Sequence, residues 1–120
     1  MVNDERFTIS LSDGGGNTLG VLHGYTAYAE IYVDDLWVDS FHRGRGFGSK
    51  LMQALEDKYR GEGFNNINLV TSAFQAPDFY RKCGFEEEFT RRNLQNPKLD
   101  KTFFVKFLEN EEQTQGLLHD

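Results

Sequence analysis

The feature that most constrains this chain is an abrupt change of residue pattern around a glycine-rich segment. Before it, Ile31–Val38 is rich in β-branched and aromatic residues, which is typical of a strand. After it, apolar residues recur at the spacing of one face of an amphipathic helix. These residues are Leu51, Met52, Leu55 and Tyr59. The connecting segment, Arg43-Gly44-Arg45-Gly46-Phe47-Gly48, must therefore carry the chain from strand to helix through a turn.

The rest of the chain alternates strand and helix signals. Phe7, Ile9 and Leu11 alternate with polar residues, which predicts a half-buried strand before the glycine-rich hairpin loop at Asp13–Asn17. Further strands are predicted over Leu19–Tyr28, Asn66–Val70, Phe85–Thr90 and Thr102–Leu108. A short helix is predicted over Asp78–Lys82, with Pro77 suited to its first turn. The predicted order β-β-β-α-β-α-β-β indicates an α/β (α+β) domain with a mixed sheet and helices packed on it.

Length and composition limit the classes of protein that fit. A chain of 120 residues suits one domain, over residues 1–108, followed by an acidic tail over residues 109–120. The net charge of −6 disfavours a general binder of nucleic acid or of anionic membranes. The early acids of the N-terminus and the lack of a long apolar run predict no signal peptide and no membrane span. With a single cysteine, Cys83, the expected location is cytoplasmic.

The glycine-rich turn has the properties of an anion site. The first N–H groups of a helix lack partners within the helix, and the helix dipole adds partial positive charge there. Glycines let an anion approach the backbone, and Arg43, Arg45 and Lys50 add positive charge. Neither the Gly-x-x-x-x-Gly-Lys-Ser/Thr loop nor the Gly-x-Gly-x-x-Gly fingerprint has this spacing, which disfavours both common nucleotide folds.

The turn resembles the pyrophosphate loop of the GNAT superfamily of acetyl-CoA-dependent N-acetyltransferases, in which Arg-x-x-Gly-x-Gly opens a helix after a strand. A second segment, Ala76-Pro77-Asp78-Phe79-Tyr80-Arg81-Lys82-Cys83-Gly84-Phe85, resembles that family's later motif. The two motifs stand in the family's order and at a fitting interval. The resemblance covers about residues 31–85 and implies a mixed, mostly antiparallel sheet whose third and fourth strands are parallel and splay apart.

The resemblance also implies a cofactor site for acetyl-CoA, with CoA as product. The pantetheine arm would pair with backbone near Leu36, Trp37 and Val38. The pyrophosphate would lie on the amides of the loop, which are those of Arg43, Gly44, Arg45, Gly46, Phe47, Gly48 and Ser49. Phe79 and Tyr80 would border the arm, and Tyr80 would protonate the departing thiolate, as a phenol can.

Two departures from the family pattern concern the site. The family often has an asparagine where this chain has Ala73, so the contact to the cofactor arm is absent or comes from Ser72 or Gln75. The chain also enters its first strands almost directly at Arg6, without the usual N-terminal helices. The acceptor site is then expected to be unusually open, completed by a second subunit in a homodimer, or lost.

Three carboxylates are candidate general bases, acting directly or through water: Asp34, Asp35 and Glu30. Asp34 and Asp35 are adjacent in a strand, so alternation predicts opposite facings, one toward a covered side and one toward solvent or a cleft. No cluster of His, Cys and Asp has the spacing of metal ligands.

Two functions follow as alternatives. The first is an N-acetyltransferase that transfers acetyl to a primary amine by direct attack in a ternary complex. The second is an acyl-CoA-binding sensor or regulatory module without turnover. For the enzyme, the acidic balance favours a cationic acceptor, either a small molecule or a lysine side chain.

Overall fold

A three-stranded antiparallel meander leads into a helical crossover and a second group of strands. The computed structural model describes residues 5–72 and 77–108. The strands are β1 (Arg6–Ser12), β2 (Thr18–Ala27), β3 (Glu30–Val38), β4 (Asn66–Ser72), β5 (Glu86–Arg91) and β6 (Lys101–Phe107). The helices are α1 (Phe47–Tyr59) and α2 (Pro77–Lys82), and short 3-10 turns occupy Ser40–His42 and Pro97–Leu99. The predicted mixed fold and its element order are confirmed.

Some predictions fall on residues that are not described. Gln75, Ala73 and the predicted tail over residues 109–120 lie outside the described residues. Within residues 5–72 and 77–108, neither helix has the length and apolar character needed to cross a membrane.

The strands of the described chain form one sheet in the order β1-β2-β3-β4-β6-β5. Strands β3 and β4 are parallel, while their other neighbours are antiparallel. Pairing between β3 and β4 covers Glu30–Tyr32 and Asn66–Asn68 and then ends, although the strands continue to Val38 and Ser72. The parallel pair that separates toward its carboxyl ends is thus present, as the resemblance implied.

Both helices lie on one face of the sheet, which we call the helix face. The predicted stripe of α1 is buried there, and it consists of Leu51, Met52, Leu55 and Tyr59. It packs against Leu22, Ile31 and Phe104, which are at most 1% exposed. Each fully buried aliphatic side chain stabilises the fold by about 2 kcal/mol. The opposite face, which we call the open face, carries the side chains of Tyr25, Tyr32, Val70 and Phe103. They project there because side chains alternate along a strand and the residues next to them point into the core.

A β-bulge interrupts β3 at the point where it leaves β4. His23 pairs with Asp35 and Gly24 pairs with Val33, so Asp34 is an extra residue on β3. A bulge shifts the alternation of side chains by one residue. Asp34 and Asp35 therefore both project from the open face, and both are exposed. The prediction that they face opposite sides, one of them covered, is wrong for this reason.

The carboxyl end of α1 is tied to the first strand by a buried tyrosine, which leads to a stability prediction. The Tyr59 hydroxyl donates a 2.8 Å hydrogen bond to Glu5 Oε1. Burial, together with this bond and the charge of Glu5, raises the pKa of Tyr59. We expect Tyr59→Phe to lower the free energy of unfolding at pH 7 by about 1 kcal/mol.

The same variant is expected to alter the pH dependence of stability. Because the folded-state pKa of Tyr59 is raised, its contribution is fully present below the ordinary pKa of about 10 and is lost progressively as the pH rises from there toward the raised pKa. Urea unfolding of both proteins from pH 7 to 11 measures this. The difference between them should shrink above pH 10, and a constant difference would contradict the assignment.

Candidate active site

A cleft of about 690 Å³ opens where β3 and β4 separate, with the start of α1 at one end and α2 along one side. Most of the predicted site residues line it. They are Asp34, Asp35, Leu36, Trp37, Val38, Arg43, Gly44, Gly46, Phe47, Gly48, Ser49, Phe79 and Tyr80. The fold therefore brings together two segments that are about thirty residues apart in sequence.

The amino end of α1 forms one end of the cleft. Gly46 is the N-cap residue, with φ +82°, and within the described chain no side chain caps this end. Gly44 also has a positive φ, of +80°, and open space lies where a β-carbon would stand at either glycine. The first N–H groups of α1 are thus left for an anion, and two glycines allow the backbone to adopt this turn.

Gly48 has a different role from the other two glycines of the loop. A β-carbon at Gly48 would lie 2.9 Å from Cζ of Phe79, so the aromatic ring packs directly on this position. The glycine is required for close packing of α2 on α1. The contact also holds Tyr80, the next residue of α2, at a defined position relative to the loop.

Backbone groups of β3 point into the cleft at alternate residues. The Asp39 N–H donates to the Leu19 carbonyl on β2, and Trp37 pairs with Val21 of the same strand. Since hydrogen-bonding direction alternates along a strand, the N–H and C=O groups of Leu36 and Val38 face the cleft. Of the three residues predicted to pair with a pantetheine arm, these two have the suitable direction.

Arg43 and His42 line the loop end of the cleft. Arg43 Nε donates a 3.2 Å hydrogen bond to the Val38 carbonyl, which places its guanidinium beside the end of β3. His42 Nδ1 lies 2.8 Å from Asp39 Oδ2. This hydrogen bond is the main cause of the lowered pKa of Asp39. Asp39 also accepts a hydrogen bond from the Phe41 N–H. Its carboxylate is therefore bonded to Phe41 and His42, and not to the amides of the glycine-rich loop.

Tyr80 lies on the cleft wall within an aromatic cluster. Its ring centroid is 5.2 Å from that of Phe79 and about 6 Å from those of Phe85 and Phe104. Burial raises the pKa of Tyr80, and the negative charge of Asp35 adds to the effect. The phenol therefore remains protonated at neutral pH, which is the form that can donate a proton.

The three candidate bases have different surroundings. Asp34 Oδ2 is paired with Arg6 at 3.2 Å. Glu30 Oε2 accepts hydrogen bonds from Tyr32 Oη at 3.4 Å and Asn68 Nδ2 at 3.3 Å, at the closed end of the strand pair. Asp35 lies on the cleft wall, and its charge acts on Tyr80.

Some predicted residues lie elsewhere, and some cleft residues were not predicted. Arg45 and Glu30 are not on the cleft wall, and Ser72 is the last residue of β4, paired with Lys101. The wall also contains Val33, Leu69 and Val70, which were not predicted as site residues. The only sequence signal for them was their position on the two strands expected to separate.

Comparison with known proteins agrees with this geometry. The model of the acetyltransferase (GNAT) family matches residues 2–85. Blasticidin-S acetyltransferase of Streptomyces morookaense is 39% identical over 71 residues, which are 58% of this chain and 52% of that protein. Glucosamine 6-phosphate N-acetyltransferase 1 of Oryza sativa subsp. japonica is 33% identical over 63 residues, 52% of this chain and 38% of that protein. The chain thus spans about half, or less, of the length of these curated relatives.

A solved structure extends the similarity to most of the fold. The crystal structure of an acetyltransferase from Bacillus cereus ATCC 14579 has a TM-score of 0.79 and 30% identity, covering 87% of this chain and 74% of that one. The match to the family model includes the glycine-rich loop, both separating strands and Tyr80. The chain therefore belongs to the acetyltransferase (GNAT) family.

Proposed function

We propose that this protein transfers the acetyl group of acetyl-CoA to a primary amine by direct attack in a ternary complex. The observation that carries the proposal is the cleft between β3 and β4, which has an uncapped helix terminus at one end and a protonated tyrosine on its wall. These features correspond to the charged and the reacting ends of an acyl-CoA thioester. The family membership of the chain supports the same reaction class.

The residues present fit acetyl-CoA. The open space at Gly44 and Gly46 allows a pyrophosphate to contact the first amides of α1, with Arg43 beside it. The cleft-facing backbone groups of Leu36 and Val38 suit hydrogen bonds to an amide-containing arm. When bound, acetyl-CoA supplies a thioester whose carbonyl carbon forms a bond to the amine nitrogen while the bond to sulfur breaks.

Two protein groups then handle the protons of this reaction. Tyr80 Oη donates its proton to the departing sulfur, and solvent restores the proton to the phenol. Asp35 accepts the proton that the attacking nitrogen loses, directly or through water, and returns it to solvent. We assign the base to Asp35 because it lies on the cleft wall and its charge acts on Tyr80, whereas Glu30 is hydrogen-bonded at the closed end of the strands.

The acceptor is a small-molecule amine in this proposal. The two curated relatives are named for blasticidin-S and for glucosamine 6-phosphate, which supports a small acceptor over a protein lysine.

The proposal is tested by calorimetric titration with acetyl-CoA and with CoA, followed by an assay of thiol release with a panel of amines. We expect micromolar binding of acetyl-CoA and amine-dependent release of CoA. Binding without release for every amine would favour the acyl-CoA sensor instead. Failure of both ligands to bind would overturn the assignment of the cleft.

The assigned acid and base make a separate prediction. We expect Tyr80→Phe and Asp35→Asn each to lower kcat by about 10- to 100-fold, because each removes a proton-transfer group. The dissociation constant for acetyl-CoA should change by less than about twofold, since neither group is assigned to the pyrophosphate. Tyr28→Phe, at a tyrosine that is 87% exposed, is the matched control and should keep full activity. An equal loss of kcat and affinity would mean that Tyr80 is structural.

A further inference from the structure

A second cavity, of about 340 Å³, lies on the open face at the point where β3 and β4 separate. It shares four wall residues with the acetyl-CoA cleft: Val33, Asp34, Leu69 and Val70. The two cavities therefore meet at the gap between the strands. A molecule in the second cavity would therefore lie beside this gap, next to residues that also line the cleft.

Flat aromatic rings form two sides of the second cavity. Tyr25 and Tyr32 stack on each other on one side, with ring centroids 5.0 Å apart and planes 11° apart. Phe103 lies on the other side and stacks on Phe89, with centroids 4.3 Å apart and planes 9° apart. Aromatic faces of this kind bind planar rings by stacking and cations by attraction to the π system.

Both carboxylates of the cavity wall, Asp34 and Glu88, belong to β-bulges. Glu87 pairs with Phe104 and Phe89 pairs with Phe103, so Glu88 is an extra residue on β5, just as Asp34 is on β3. Without the two bulges, the residues that follow these acids would face the helices. The bulges instead place a carboxylate and its neighbour on the open face, one pair on each side of the cavity.

Two arginines of the protein already lie over aromatic rings of the cavity wall, as this chemistry predicts for a cation. Arg6 lies over the Tyr25 ring, 5.6 Å from its centroid, and pairs with Asp34. Arg91 lies over the Phe103 ring, 5.4 Å from its centroid. Neither arginine is a wall residue of the cavity. The Arg6 side chain is 75% exposed, so displacing it from Asp34 costs little, about 1 kcal/mol or less.

We propose that the second cavity is the acceptor site and that it selects a small cationic primary amine attached to a flat ring, without an anionic group. The inference rests on the proposed function, since it names the class of acceptor for the same reaction. The ring stacks between the tyrosine pair and Phe103. The ammonium group is held by Asp34 and Glu88, replacing Arg6 at Asp34. It loses one proton to water, the resulting amine attacks through the gap, and Asp35 takes the second proton during acyl transfer.

The test is calorimetric titration of the full chain, saturated with CoA, with phenethylamine. Three other probes separate the contributions: n-butylamine lacks the ring, 3-phenylpropionate reverses the charge, and glucosamine 6-phosphate adds an anion to the amine. We expect phenethylamine to bind at least about tenfold more tightly than any of the three. Preference for glucosamine 6-phosphate or for 3-phenylpropionate would overturn the inference, and so would equal binding of n-butylamine.

Two exposed substitutions give opposite expected effects. Glu88→Gln should weaken phenethylamine binding by about three- to tenfold, because it removes one of the two carboxylates. Arg6→Gln should strengthen it by about twofold or more, because it removes the competing cation from Asp34. Glu86→Gln makes the same charge change on the same strand at a residue off the cavity wall, and it should have no effect. Weaker binding in Arg6→Gln, or unchanged binding in Glu88→Gln, would contradict the inference.

The two proposals can fail separately. Acetyl-CoA affinity measured on the same samples reports on the cleft alone. If acetyl-CoA binds and other amines release CoA while phenethylamine neither binds nor reacts, the acceptor class is wrong and the acetyltransferase proposal stands. If acetyl-CoA does not bind, the proposed function fails, whatever the second cavity binds.

Discussion

Replacing Gly46 with aspartate is expected to lower the affinity for acetyl-CoA by about 100-fold or more, close to 3 kcal/mol. Gly46 is the N-cap of α1, and open space surrounds its α-carbon on the side where a β-carbon would stand. An aspartate there has room to fit, and its carboxylate competes with the pyrophosphate for the first N–H groups of the helix. It also repels the phosphate charges directly. Calorimetric titration with acetyl-CoA measures the loss.

Matched controls separate charge from backbone strain. Gly61, beyond the carboxyl end of α1, has φ +78° and equally open surroundings, so Gly61→Asp carries the same strain and charge away from the cleft. Its affinity for acetyl-CoA should be unchanged. Gly46→Asn keeps the shape of the aspartate side chain without its charge, and its affinity for acetyl-CoA should fall by about tenfold or less. If Gly46→Asp bound acetyl-CoA as well as Gly61→Asp does, the loop would be only a turn.

Replacing Gly24 with alanine is expected to destabilise the domain by about 3 kcal/mol or more, a large part of the stability of a small domain. A β-carbon at Gly24 would overlap the backbone carbonyl oxygen of Tyr32 and lie 2.5 Å from Cζ of Phe7. The carbonyl oxygen belongs to the sheet and cannot rotate away. Strands β2 and β3 would have to separate beside the bulge at Asp34.

Urea unfolding followed by circular dichroism measures this loss of stability. Gly14→Ala is the control, because nothing lies within 4 Å of a β-carbon at that position in the hairpin loop. It should leave the free energy of unfolding within about 0.5 kcal/mol of that of the parent protein. If Gly24→Ala were as stable as Gly14→Ala, the backbone of Tyr32 would have to lie farther from Gly24, and β2 and β3 would be more widely spaced at this point.

The sequence predicted the loop, because that feature depends on neighbours in the chain. The strand before Arg43, the glycines after it and the apolar stripe of α1 are local patterns with a direct physical meaning. The second motif, around Tyr80, together with the first, also led to the prediction of the parallel strands that separate to form the cleft. The same local reasoning could not reveal that Gly48 also packs against Phe79, because Phe79 is distant in sequence.

The arrangement of the carboxylates could not be predicted in this way. Alternation along one strand cannot reveal a bulge, since a bulge is a mismatch in length between two paired strands. Asp34 and Glu88 became neighbours of the same cavity only through two such mismatches, on strands that do not touch. The distinct surroundings of Asp35, Asp34 and Glu30 likewise depend on Arg6, Tyr32 and Asn68, which reach them across the sheet.

The sequence by itself thus determined the order of elements, the buried stripe of α1 and the position of the glycine-rich helix terminus. These follow from residue periodicity and from the backbone freedom of glycine, which act over a few residues. The tertiary structure alone decided which face each carboxylate occupies, where the second cavity lies and which wall residues it shares with the cleft. These depend on strand register and on contacts between distant residues, which no local pattern encodes.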